Sequence, residues 1–333
     1  MLIDTLPTAI ETELQQVVGR ARQPGLEEMY TMLAYHMGWE GEGAGPEARG
    51  KRIRPLLVLL CAAAAGGDWQ RALPAAAAVE LVHNFSLIHD DIQDQSPQRR
   101  GRATVWTKWG IAQAINAGDT LFSLAQLSML GLAETVSPQA ALRSAVVLQE
   151  TCLALTQGQY LDLSYERRGD LSLEVYWPMV SGKTAALLSA STQIGAQAAR
   201  ASDTVCAAYA SFGRLLGLAF QALDDILGIW GDAALTGKST ESDLLSGKKS
   251  LPVLYGLSLR GAFADRWAQG PVSAAEVAAL AAQLEAEGGR QYTQQRANEL
   301  TDQALAALEQ AAPQGEAGVA LEALAKKLLQ RKT

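Results

Sequence analysis

The stretch Pro74 to Asp94, PAAAAVELVHNFSLIHDDIQD, governs how the rest of the chain is read. It opens on a proline suited to a first helical turn and then runs mostly apolar. It ends on Asp90, Asp91 and Asp94. Asp90 and Asp94 are four residues apart, so a helix sets both on one face, about 6 Å apart along its axis. Three carboxylates this close repel one another and would destabilise an isolated helix. Alone, the cluster reads as a solvated acidic helix end. Its place at the end of an apolar run fits that reading poorly.

A second string, Gln221 to Gly228, puts Asp224 and Asp225 inside another apolar helix. Two such pairs predict two acidic edges facing a cavity, with carboxylates on Mg²⁺ and water and phosphate oxygens completing its shell. Cations lie near both. Arg99 and Arg100 follow the first cluster, and Lys238 and Lys248 follow the second. Gly50-Lys51-Arg52-Ile53-Arg54-Pro55 precedes an apolar helix, and Lys183 sits at a predicted kink near Pro178. Each alone reads as a surface charge. Together they offer donors for two diphosphate groups. The chain as a whole has a formal net charge of −7, which argues against a general nucleic-acid binder.

The 333 residues are 48% hydrophobic and 19% charged, enough for a sizeable core, and only 6% aromatic, which favours helix over sheet. Helical periodicity predicts helices from Pro7, over Pro55 to Ala65, Pro74 to about Asp94, Ala112 to Leu132, Pro138 to Leu163, Leu173 to Ala199 and Ser202 to Trp230. Gly38 to Gly50 and Gln95 to Arg102 read as loops, and Gly231 to Lys249 as a functional loop. From Pro252 onward helix returns, with breaks near Gly261 to Pro271 and Pro313 to Gly318. No fixed-period repeat or linker divides the chain, so residues 1–333 read as one all-α domain.

Cys61, Cys152 and Cys206 sit singly in apolar stretches, which suits a reducing compartment. The N-terminus has no basic start and meets Asp4 at once, unlike a signal peptide. The longest uncharged run, Thr184 to Ala199, is sixteen residues, short of the twenty or so that span a bilayer. The expectation is a cytoplasmic protein with no transmembrane segment.

Nucleotide-binding look-alikes fail on spacing. Gly182-Lys183-Thr184 would need a glycine at Trp177, and Gly237-Lys238-Ser239 one at Asp232. Gly41, Gly43 and Gly45 follow no strand. His89-Asp90 is similar to the His-Asp pair of helical metal phosphohydrolases, and although only His36 and His83 remain as further histidines, that reading stays an alternative at this point.

With these motifs in this order, the chain resembles the trans-isoprenyl diphosphate synthases of the polyprenyl synthetase family. The resemblance is carried from Lys51 to about Tyr255 by Gly50 to Pro55, Glu80 with His83 and Ser86 to Asp94, Arg99-Arg100-Gly101, Gly182-Lys183-Thr184, Phe220 to Asp225, and Gly237-Lys238 through Asp243 to Gly247-Lys248. It implies an all-helical bundle with a deep central cavity, a homodimer, and head-to-tail condensation of an allylic diphosphate (dimethylallyl, geranyl or farnesyl) with isopentenyl diphosphate. It further implies Mg²⁺, three ions when substrate is bound, on Asp90, Asp94 and Asp224, with Asp91, Asp225 and Asp243 close by. Arg99, Lys183, Lys238 and Lys248 would hold the allylic diphosphate, and Lys51, Arg54, His83 and Arg100 isopentenyl diphosphate. Thr184 and Gln221 would face the developing carbocation. Lys183, Thr184, Gln221, Arg99 and Arg100 thus make the expected catalytic set.

Phe85, five residues before Asp90 and beside the small Ser86, is expected to floor the product pocket. Among the resembling enzymes that pattern is similar to twenty-carbon synthases, with fifteen carbons as the alternative. Gly228 departs from the family pattern by replacing the last aspartate of the second acidic motif, and Ala103 by replacing a proline. A non-catalytic isoprenoid-binding subunit should have lost more metal-binding aspartates than this. A terpene cyclase should lack the paired basic motifs and carry an Asn/Ser/Glu metal motif.

Overall fold

A computed structural model describes residues 2–166, 168–231 and 243–329. In chain order its helices are α1 (Leu2–Gly19), α2 (Glu27–His36), α3 (Pro46–Arg49), α4 (Ile53–Ala64), α5 (Leu73–Gln93), α6 (Val105–Trp109), α7 (Ile111–Leu130) and α8 (Leu132–Thr135). Then come α9 (Pro138–Glu166), α10 (Tyr176–Val180), α11 (Ala186–Ala198), α12 (Asp203–Trp230) and α13 (Leu251–Leu259). The last are α14 (Ala262–Trp267), α15 (Val277–Ala286), α16 (Gly289–Gln310) and α17 (Gly315–Leu329). Among the described residues the one sheet is a hairpin, β1 (Gln98–Arg99) against β2 (Arg102–Ala103). The all-α expectation holds.

Local differences have local causes. The segment read as a loop at Gln95 to Arg102 makes that hairpin because Arg100 (φ 52°) and Gly101 (φ 72°) both take left-handed backbone, as a two-residue type I′ turn requires. α1 starts at Leu2, so Pro7 lies inside it and removes one intrahelical donor without ending the helix. The helix predicted over Leu173 to Ala199 is split into a 3₁₀ turn at Leu173–Val175, α10, a π turn at Ser181–Ala185, and α11. α14 forms within the break predicted near Gly261.

The chain separates into two compact units: Met1–Glu150 with Ala190–Tyr209 and Ala311–Leu321, and Thr151–Ser189 with Ala210–Gln310 and Glu322–Thr333. In the first, α5 is packed by α1, α4 and α7. Ala75 to Val82 are buried without a break, because four alanines let neighbouring helices approach from every side. Full burial of Leu81 and Val82 contributes roughly 1.5–3 kcal/mol each. The acidic end of α5 is less enclosed, and Asp90 is half-buried.

In the second unit, Leu244, Val253, Phe263, Val272, Leu280 and Leu284 form an apolar core, with Ile229 and Trp230 of α12 against it. α12 is long and apolar enough to cross a bilayer by length and composition. However, 56% of its most apolar window is buried within the chain, as expected of a core helix.

Candidate active site

In the first unit, the Gly50–Pro55 string is fixed by its second basic residue. Arg52 takes left-handed backbone (φ 46°) just before α4. Its guanidinium donates to Glu11 at 2.7 Å, to Glu80 at 2.8 Å and to the Met37 carbonyl at 3.1 Å. Glu80, buried in α5, also accepts from Asn84. A buried charge this well paired is structural. It leaves Lys51 exposed and Arg54 on the first turn of α4.

Arg54 donates to His83 Nε2 at 3.3 Å. Arginine is always a donor, so that nitrogen accepts and the proton sits on Nδ1. Burial, then Arg54, Arg100, Arg99 and Arg52, hold His83 well below the usual imidazole value. The Nε–H of Arg54 is buried without a hydrogen-bond partner. A buried, unpaired donor on a cation is costly unless an anion answers it.

The hairpin carries the other two arginines. Arg99 donates through Nε, at 2.8 Å, to Asp91 Oδ1 and ion-pairs with the same oxygen through its second nitrogen, also at 2.8 Å. Arg100 donates to the Ala48 carbonyl at 2.9 Å. Burial raises the Asp91 carboxyl above the ordinary range, against the pull of Arg99. Arg99 is thus already engaged with a carboxylate. Phe85 meets Phe122 of α7 edge-on at 5.0 Å and His89 at 5.7 Å. Ser86 bonds back to the His83 carbonyl at 2.8 Å.

In the second unit, Lys183 and Thr184 lie in the π turn, a form that often appears at functional sites. α9 comes close to that turn because two glycines meet: a Cβ on Gly158 would lie 2.2 Å from the Lys183 amide nitrogen, and one on Gly182 2.6 Å from the Ala154 carbonyl oxygen. One turn beyond Gly158, Asp162 forms an ion pair with Lys183. Thr184 donates to Gln221 Oε1 at 2.9 Å, and Gln221 Nε2 donates to Asp225 Oδ1 at 2.9 Å. Asp225, buried, also accepts from the Tyr176 hydroxyl at 2.8 Å and the Leu251 amide at 2.9 Å.

Lys248 lies 3.8 Å from both Asp225 and Asp243. Burial opposes its charge, but Asp225, Asp243, Asp224 and Asp162 hold its ammonium above the ordinary lysine value. Asp162, Tyr176, Lys183, Thr184, Gln221, Asp225 and Lys248 line one pocket, with apolar Met179 and Val180. Lys238 and residues 232–242 of the expected loop lie outside the described residues.

The two acidic motifs divide alike. Asp91 and Asp225 are buried and bound to protein donors. Asp90 and Asp224 are half-buried, and Asp94 is exposed at the end of α5. The donor set is hard oxygen, with one or two carboxylates per motif. That suits Mg²⁺, which keeps its other positions for water and phosphate oxygen.

Sequence reading missed Asp162, Tyr176 and His36. Asp162 had a signal, since Gly158-Gln159-Tyr160-Leu161-Asp162 sets a carboxylate one turn from a helical glycine. His36 lines a pocket with Asp91, Arg99 and Arg100, joined only by tertiary folding.

The sequence model described as polyprenyl synthetase matches residues 45–282. Over 276 residues the chain is 44% identical to the (2E,6E)-farnesyl diphosphate synthase of Mycobacterium tuberculosis, covering 79% of this chain and 75% of that one. Over 299 residues it is 41% identical to that organism's geranylgeranyl diphosphate synthase, covering 88% and 85%. The crystal structure of a polyprenyl synthetase from Streptomyces coelicolor A3(2) matches 98% of both chains with a TM-score of 0.88 and 39% identity. The chain belongs to the polyprenyl synthetase family. It is an enzyme, a transferase of prenyl groups.

Proposed function

We propose that residues 1–333 act as one polyprenyl synthetase domain that condenses an allylic diphosphate head to tail with isopentenyl diphosphate, and that the product is twenty carbons long. The observation that carries the diphosphate assignment is the half-buried Arg54, whose buried Nε–H is unanswered, beside neutral His83. A second anion, the allylic diphosphate, belongs with Lys183 and Lys248 in the pocket of the other unit. Short-chain synthesis is the activity carried in the names of the mycobacterial relatives.

Asp90 and Asp94 in one unit and Asp224 in the other are the carboxylates offered to Mg²⁺. When bound, the metal neutralises charge on the leaving diphosphate. Lys183 and Lys248 add fixed positive charge where that group departs, which is electrostatic stabilisation of the transition state. The Thr184 hydroxyl and the Gln221 amide, locked to each other and to Asp225, present preset dipoles to the carbocation. Lys51, Arg54, His83 and Arg100 hold isopentenyl diphosphate, whose double bond is the nucleophile that attacks the cation. The proton lost afterwards goes to the departed diphosphate. Met179 and Val180 help to exclude water. Arg99 supports Asp91 through Nε and one terminal nitrogen, and its other N–H groups are the ones offered to diphosphate.

Product length rests on Phe85 as the single aromatic of the floor on α5. A fifteen-carbon product is the second reading, favoured by Phe122, which backs Phe85 and makes the floor fuller. Ile111, Ile115, Leu127 and Leu130 on α7 and Leu142 and Val146 on α9 are apolar yet 43–66% exposed, which supports a homodimer through this face. Three buried free thiols suit a cytoplasmic setting. The test is incubation with Mg²⁺, isopentenyl diphosphate and each allylic primer, with product length read by mass spectrometry. Geranylgeranyl diphosphate as the main product supports the proposal. Absence of any condensation overturns it.

A further inference from the structure

The hairpin that carries Arg99 and Arg100 is too small to hold its own place. Each strand has two residues, and a lone two-stranded hairpin is marginal at best in water. Its pairing sets Arg99 directly opposite Arg102, a like-charge pair that opposes the ladder. Arg100, on the turn, is crowded as well. Burial first, with Arg52, Arg99 and Arg54 adding to it, holds its guanidinium below the ordinary arginine value, against the pull of Glu80. Contacts outside the hairpin must therefore fix it.

Arg99 is tied to α5 through Asp91. Arg102 is tied elsewhere. Its Nε donates to the Glu42 carbonyl at 2.9 Å, Nη1 to the Tyr35 carbonyl at 2.7 Å and Nη2 to the Glu40 carbonyl at 2.7 Å. The guanidinium carbon lies 3.9 Å from the centroid of the Tyr35 ring, and the Tyr35 hydroxyl donates to the Ala103 carbonyl at 2.8 Å.

The glycines that fail as a dinucleotide loop serve this contact. Gly41 (φ 83°) and Gly43 (φ 69°) both take left-handed backbone. A Cβ on Gly41 would lie 2.8 Å from Tyr35 Cδ2, and one on Gly43 3.3 Å from Arg102 Cγ. Without side chains at these two positions the loop closes on Arg102. With Nε, Nη1 and Nη2 all engaged by carbonyls, this guanidinium holds backbone and not substrate.

We propose that Arg102 is a positioning residue for Arg100: clasped by the Tyr35, Glu40 and Glu42 carbonyls, it pins the hairpin to α2 and the glycine loop so that Arg100 is held for isopentenyl diphosphate. This rests on the prenyl-transfer reading above. It adds a role that charge alone does not fill, because arginine's planar fork spans three carbonyls while stacking on a ring, and lysine has no such fork. Loss of the clasp falls on Arg100, since Arg99 keeps its Asp91 partner.

The experiment uses the full chain, with initial rates measured as each substrate is varied and a thermal melt for every variant. Arg102→Ala should raise the KM for isopentenyl diphosphate about tenfold, the scale of one lost charge-assisted hydrogen bond, with kcat and the primer KM within about twofold of the parent. Arg102→Lys should lose nearly as much, since it restores the charge without the fork. Arg100→Ala/Arg102→Ala should stay within about twofold of Arg100→Ala, whereas independent residues would multiply their losses. Gly43→Ala leaves Arg102 in place but crowds its Cγ, so it keeps the test decisive if Arg102→Ala does not fold. It should raise the same KM by roughly threefold, as a partial displacement of the same contact.

Full recovery in Arg102→Lys would make Arg102 a source of charge and overturn the inference. A double variant whose losses multiply, or an equal rise in both KM values, overturns it too. If Arg100→Ala raises the isopentenyl diphosphate KM while the Arg102 and Gly43 variants leave it unchanged, only this inference fails. If Arg100→Ala itself leaves that KM unchanged, the assignment of Arg100 beneath it fails as well.

Discussion

The guanidinium of Arg100 lies where a side chain on Gly50 would begin: a Cβ there would fall 2.6 Å from the Arg100 Cζ. Gly50 also has φ 74°, so its glycine answers both a backbone and a packing demand. Two basic motifs, fifty residues apart in sequence, are thereby fitted together. Gly50→Ala should displace Arg100 and raise the KM for isopentenyl diphosphate about tenfold, corresponding to one charge-assisted hydrogen bond, with the primer KM little changed. Initial-rate kinetics with each substrate varied will check this. Equal loss toward both substrates would mean that Arg100 does not serve isopentenyl diphosphate selectively.

The division of cations between the units gives a second test. Arg54→Ala should raise the isopentenyl diphosphate requirement far more than that for the primer, and Lys248→Ala should do the reverse. Roughly 10²-fold is expected for each, as for removal of one charge-assisted contact to a diphosphate. If both variants weaken both substrates alike, the two-site assignment is wrong.

Because Phe85 is backed by Phe122, Phe85→Ala alone should lengthen products only partly. The Phe85→Ala/Phe122→Ala double variant should shift them further, at roughly 3 kcal/mol or more of stability. Product profiles by mass spectrometry and a denaturant melt report both effects. A folded, active double variant with the parent's product length would place the floor elsewhere.

Stability should depend on pH through His36 and His83. Burial comes first for both, and neighbouring arginines add to it, holding both imidazoles well below their usual value. Just below pH 6.5 the unfolded chain therefore binds more protons than the folded one. Stability is full above that pH and falls toward pH 5, by up to about 1.4 kcal/mol per pH unit for each histidine. Urea unfolding at pH 7, 6 and 5 should show the slope, and His83→Gln should reduce it. A slope the same in the variant would remove His83 from the account.

Much of this site was legible before folding was considered. The 3.6-residue period, prolines at helix starts and acidic pairs closing apolar runs were enough to place α5, α7, α9 and α12 and to draw attention to Asp90 with Asp94 and to the Asp224-Asp225 pair. These are local properties, set by the spacing of side chains along one helix. The choice of Asp224 within its pair came from the family resemblance. Even the π turn at Lys183 was foreshadowed as a kink near Pro178. The hairpin was not, because Arg100-Gly101 is not a usual type I′ pair and Arg100 adopts φ > 0 only within its tertiary setting.

The sequence alone determined the helical class, the two acidic motifs and the inventory of cations. Only the tertiary structure decided which of those charges are structural and which are available for chemistry. Arg52 and Arg54 differ by two positions in one string. One is neutralised by Glu11 and Glu80, while the other keeps a buried N–H without a partner. Asp90 and Asp91 are adjacent, yet only Asp91 is buried against Arg99. The role of a charge depends on how far it is removed from water and on what lies within about 3 Å of it. Both are set by residues tens of positions away, which no local pattern records.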